Sequence, residues 1–219
     1  MTVPHAAGGV TAIRGPMLSF TGDPFADGDA PVHRHEPDAV VAMAGGRITH
    51  AGPAAGVLAA LPADTPVTSY GRDALILPGF IDCHVHYPQI RIVGAGGEPL
   101  LGWLARHALP AEQRLADADV ARETARVFLR ECLRHGTTTA AVYCTVHPHS
   151  ATVFFEEAEG LGLRMIAGKV LMDRNAPADL CDTPQRGYDE SRALIARSPG
   201  RGRPLYAVPP RYARSSTPE

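Results

Sequence analysis

From about residue 76 the chain alternates short apolar runs with helical patterns, an order that few folds accept. The spacing predicts a strand over Leu75–His86 and a helical patch over Leu100–Ala108. An amphipathic helix is expected over Ala118–His135. Its apolar positions Ala121, Ala125, Phe128, Leu129, Cys132 and Leu133 recur at helical spacing, with Asp117 as N-cap and Gly136 at the C-terminal cap. Strand Thr137–Val146, helix Ser150–Leu161, strand Leu163–Met172, helix Tyr188–Arg197 and strand Pro204–Val208 complete the series. Strands joined by helices of this length form right-handed βαβ units and a parallel sheet. The predicted class is therefore α/β, with residues 76–219 supplying the first four strands of a TIM-like (β/α) barrel. A whole barrel takes eight strands and about 250 residues. The chain closes on Ser216-Thr217-Pro218-Glu219, a hydroxyl cap followed by proline and an acid, which reads as a helix start. The expectation is a chain that stops partway through a larger protein.

Residues 1–75 carry a different texture and are expected to form a small β-sandwich-like subdomain. Val10–Phe20, Ala39–Met43 and Arg47–Ala51 are its candidate strands, with a Gly45-Gly46 hairpin turn between the last two. Gly22–Pro37, rich in Asp, Pro, Gly and His, reads as an exposed loop. Ala54–Leu61 reads as a short helix ended by Pro62.

Three His-x-His pairs carry potential chemistry. His84 and His86 end an apolar strand entered through Gly79, and residues two apart in a strand face the same side. Two same-side imidazoles supply much of a divalent-metal site; a catalytic zinc takes about three protein ligands plus water. The alternative is a pair of hydrogen-bonded, partly buried histidines. His33-Arg-His35 lies in a polar, proline-flanked stretch and reads as solvated loop. His147-Pro-His149 follows an apolar run, but Pro148 breaks the strand register and Ser150 opens a helix. No histidine follows His149.

The net charge of −2 and the dispersed arginines give no polycationic footprint, so neither nucleic acid nor an anionic membrane is an expected partner. No apolar run approaches the roughly 18 residues of a membrane span, and no signal-peptide core follows Met1. Cys83, Cys132, Cys144 and Cys181 form no Cys-x-x-Cys, which argues against a disulfide scaffold, a zinc knuckle and a cysteine-ligated deaminase site. A cytoplasmic location is expected.

The motif PGFIDCHVHYPQ resembles the first-strand signature of the amidohydrolase superfamily. GTTTAAVYCTVHP, LRMIAGKVLMDRNAP, DTPQRGYDESRALI and YAVPPRYARSSTPE are, in order and spacing, similar to the guanine deaminases. MLSFTGDPF and VVAMAGGRITHAGPA extend the likeness over nearly the whole chain. The resemblance implies a distorted TIM barrel with one zinc and a small β domain, acting on guanine as a small-molecule substrate. Full-length members are expected to be homodimers. It implies His84 and His86 as zinc ligands, Gln89 as a hydrogen-bonding partner of the purine, and Arg211 with Tyr212 as a clamp on the purine ring. Tyr212 stands where the family usually has Phe, and Pro209-Pro210-Arg211 replaces the usual Thr-Pro-Arg. Arg214 takes the place of a proline, and Ser198-Pro199 of a Trp-His-like pair. Asp173, Arg174 and Asn175 are expected to fix a loop rather than to do chemistry.

The family's catalytic glutamate, its further histidines and its aspartate are expected beyond Glu219, so no catalytic residue is assigned within the chain. The implied reaction is hydrolysis of guanine to xanthine and ammonia by a zinc-activated water. The 219-residue polypeptide is expected to bind zinc weakly, to show no measurable turnover, and to aggregate through its open sheet edges. Two other readings compete: an amidohydrolase of another ring, such as a triazine or cytosine-like base, and a non-catalytic truncated product.

Overall fold

The structure, a computed structural model, describes residues 9–23, 25–26, 32–197 and 202–218. The expected departure at Ser198-Pro199 lies outside the described residues. The chain divides into two compact units, Met1–Pro78 and Gly79–Glu219.

In the first unit β1 (Thr11–Phe20), β2 (His33–Ala44), β3 (Arg47–Pro53) and β4 (Val67–Ser69) form one sheet in the order β3-β2-β1-β4. Helix α1 (Ala54–Ala60) packs Ala54 and Val57 with Ala12, Val40 and Ala42. The described residues make a single sheet with one helix, not the two sheet layers of a sandwich. Gly45 and Gly46, at φ 56° and 73°, make the β2–β3 turn in the left-handed region that favours glycine. The expected loop over Gly22–Pro37 is corrected over its last residues: His33 to Glu36 pair with Phe20 to Met17. Their side chains are polar and mostly exposed, but the backbone still gains a ladder, and Pro37 falls where the register shifts and its missing N–H costs nothing.

The second unit is a parallel sheet in the order β5-β6-β7-β8: β5 (Phe80–His86), β6 (Thr137–Tyr143), β7 (Arg164–Gly168) and β8 (Leu205–Tyr206). Helices α4 (Ala118–Arg134), α5 (Pro148–Gly160) and α6 (Pro184–Arg197) provide the crossovers; α2 (Leu100–Trp103) and α3 (Leu109–Gln113) lie in the segment before α4. This is the α/β order expected for the first four strands of a barrel. Asp117 caps α4, accepting from the Asp119 and Val120 N–H groups at 2.8 and 3.2 Å, and Gly136 leaves it at φ 79°. Ala121, Thr124, Ala125, Phe128 and Leu129 are its buried face. Leu133 is 42% exposed, because twelve residues at 100° each carry it well off the stripe.

The strands are shorter than their apolar runs. Pro204, Pro209 and Pro210 carry no N–H, so the β7–β8 ladder thins to single contacts such as Leu171 N–H to Pro209 O at 3.1 Å. Helix α6 starts four residues earlier than expected: Thr183 Oγ1 accepts from Arg186 N–H at 3.2 Å and Pro184 opens the helix. The helical patch also runs on, as α2 (Leu100–Trp103), a π-helical turn (Leu104–Ala108), α3 (Leu109–Gln113) and a 3₁₀ turn (Arg114–Ala116). The wider turn just before Pro110 admits the proline ring without ending the helix.

Gly79 brings β5 against β6: a Cβ there would lie 2.1 Å from Thr138 Oγ1 and 2.8 Å from its Cβ. Gly79→Ala should therefore cost about 1–3 kcal/mol, as overpacking does. Urea unfolding checks this, and a loss below about 0.5 kcal/mol would contradict it.

Candidate functional site

β5 carries one extra residue against β6, since Asp82 pairs with Ala140 and Val85 with Val142. Asp82 Oδ1 accepts the His84 N–H at 3.0 Å and holds this bulge. The His84 and His86 rings come together at the strand's C-terminal end, with centroids 5.2 Å apart and planes at 67°. Tyr143, beside His86 in the ladder, stacks on it at 4.6 Å and lies 5.0 Å from His84. Tyr87 follows at once and is fully buried, stacked on Phe154 at 4.9 Å and donating its hydroxyl to Ser150 O at 3.0 Å. That anchor fixes the chain on which His86 and Gln89 stand.

Burial, then the positive field of Arg211 and the neighbouring His84, pull the His86 imidazole down to about 3. It is therefore neutral at ordinary pH, the form that gives a lone pair to a metal. Its Nδ1 is buried with no hydrogen-bond partner and lies 4.0 Å from Glu112 Oε1. A neutral ring at that distance makes no ion pair with the carboxylate.

Arg211, Gln89 and Glu112 form the second half of the site. Arg211 Nη1 donates to Glu112 Oε2 at 2.5 Å, and Gln89 Nε2 donates to Glu112 Oε1 at a long 3.5 Å. Burial pushes the Glu112 carboxyl up, while Arg211 and Gln89 pull it down. The Arg211 loop is held from the β7 side. Its N–H donates to Leu171 O at 3.1 Å, Arg174 Nη2 to Ala213 O at 2.7 Å and Asn175 Nδ2 to Arg214 O at 2.6 Å. Asp173 binds the Thr217 N–H at 2.9 Å. Asp173, Arg174 and Asn175 thus fix a loop, as expected. Glu112 is not among the residues singled out from sequence; it lies between the helical patch expected over Leu100–Ala108 and the helix expected from Ala118, with nothing in the local pattern to mark it.

His84, His86, Gln89, Trp103, Arg211 and Tyr212 line one cavity of about 740 Å³. Trp103 is set by its Nε1–H donating to Ala95 O at 2.7 Å. His147 and His149 stack on each other at 5.6 Å at the start of α5, with His149 Nε2 2.8 Å from Leu115 O, and neither lines that cavity. His33 and His35 are exposed on β2. Among the described residues no group of three or more His, Cys, Asp or Glu could hold a metal ion. Two adjacent imidazoles, one of them held neutral, fit two positions of a zinc sphere and leave the others open. No helix among the described residues is long and apolar enough to cross a membrane.

The amidohydrolase family model matches residues 75–213, the stretch that holds β5 to β8 and every residue of this cavity. The chain belongs to the amidohydrolase family. It is 53% identical over 148 residues to the guanine deaminase of Escherichia coli, covering 68% of the chain and 34% of that protein. It is 44% identical over 206 residues to a probable guanine deaminase of Deinococcus radiodurans, covering 93% of the chain and 47% of that protein. The solved guanine deaminase of Bradyrhizobium japonicum superposes with a TM-score of 0.87 at 38% identity, over 96% of the chain and 45% of that structure. The chain thus spans between a third and a half of the length of these relatives.

Proposed function

We propose that the chain carries the purine-holding half of a guanine deaminase, together with two ligands of its zinc. The observation that carries this reading is the single cavity in which His84 and His86 meet Gln89, Arg211 and Tyr212. His84 and His86 would hold the metal, which when bound supplies hydroxide near neutral pH by lowering the pKa of its water to about 7. Arg211 has five N–H donors in a planar fork, and guanine presents O6 and N7 as adjacent acceptors, a bidentate match. Gln89 adds an amide that both donates and accepts. Tyr212, 40% exposed at the cavity wall, offers a ring face on which a base can stack. Orientation of the ring is this half's contribution to lowering the barrier.

Calorimetric titration of the chain with xanthine, cytosine and a triazine tests the reading. The purine should bind and the other two should not, and Arg211→Ala should weaken purine binding at least about tenfold, consistent with loss of a bidentate contact of about 1–3 kcal/mol. Equal binding of all three rings, or no effect of the substitution, would overturn it.

A further inference from the structure

We propose that Glu112 is a positioning residue that presets Arg211 and Gln89 for the ligand; this deepens, and rests on, the purine reading above. Two separate elements converge on Glu112 of α3: the 3₁₀ turn after β5 with Gln89, and the loop after β8 with Arg211. The Glu112 side chain is 1% exposed and that of Arg211 5%. A buried carboxylate is costly unless it is paired, so this one is tied to whatever cations and donors the fold brings to it. Here it engages one Nη of Arg211 at 2.5 Å, which leaves the other guanidinium donors for a ligand. Its second oxygen faces the Gln89 amide at 3.5 Å, so one carboxylate sets the reach of both polar arms. Without it, Arg211 would be a long cationic side chain beside an apolar wall of Leu100, Trp103 and Leu104, free to turn toward water. Glu112 itself does not line the cavity, so its effect on a ligand passes through Arg211 and Gln89.

The test is a double-mutant cycle on the chain, with xanthine affinity read by calorimetry and the fold read by circular dichroism and by the indole N–H resonance of Trp103, the single tryptophan. Glu112→Gln and Arg211→Met should each weaken xanthine at least tenfold. The double variant should bind no worse than Arg211→Met alone, within about threefold, because the arm that Glu112 holds at 2.5 Å would be gone and its remaining contact, with Gln89 at 3.5 Å, is long and weak. Losses that multiply in the double variant, or Glu112→Gln binding within twofold of the unmodified chain, would overturn the proposal and leave the purine reading standing. No xanthine binding by the unmodified chain would remove both. If Glu112→Gln alone does not fold, the double variant, which carries neither charge, still decides by comparison with Arg211→Met: equal affinity supports the assignment and weaker binding refutes it.

Discussion

Replacing His86 with alanine should cut zinc affinity by more than a hundredfold while leaving the fold in place. Removing a partner that merely orients a metal-bound histidine costs about 10–100-fold, and removing a ligand costs more. The imidazole makes no hydrogen bond at Nδ1, and its ring contacts are with Tyr143 and His84 at the C-terminal end of the strand, so little else depends on it. His84→Ala should behave alike, because the two rings meet edge-on with centroids 5.2 Å apart. His147→Ala serves as the control, since that ring lies at the start of α5 and does not line the cavity. Zinc titration by competition with a chromophoric chelator checks all three. Equal affinity in His86→Ala and the unmodified chain would remove the metal assignment.

Lys169→Ala should destabilise the second unit by about 3–5 kcal/mol, the usual result of stripping one partner from a buried charge cluster. Lys169 is fully buried where β7 ends, its Nζ paired with Asp182 Oδ2 and 3.3 Å from Glu190 Oε2. Arg186 joins from the solvent side, 3.0 Å from Glu190 Oε1. Losing the ammonium would leave two carboxylates facing each other with only that partly exposed guanidinium for compensation. Lys169→Met combined with Asp182→Leu should recover much of the loss, because an apolar pair can replace a buried ion pair at little net cost. Urea unfolding measures both; a loss below about 1 kcal/mol in Lys169→Ala would show that water reaches the cluster.

What the sequence made legible was whatever depends on local chemistry. Asp117 and Gly136 marked both ends of α4, and the period-two spacing of His84 and His86 placed their rings together even though a bulge interrupts the strand between Asp82 and Val85. What depends on distant partners was not legible. The polar run His33–Glu36 becomes strand because β1 supplies its hydrogen bonds, and composition cannot report that. Glu112 carries no mark in the sequence, since its partner Arg211 lies 99 positions along the chain. Lys169 stood in plain view within the motif after β7, but its burial depends on α6 closing over it.

The π-helical turn at Leu104–Ala108 sets the angular phase of everything after it. Each residue of an α-helix advances the azimuth by about 100°, so a turn that accommodates one residue more shifts the downstream face by about that angle. Glu112 follows this turn by four residues, so deleting one residue at 105–108 is expected to swing its carboxylate away from Arg211 and Gln89. Along this stretch the number of residues is therefore as much a part of the site as their identity.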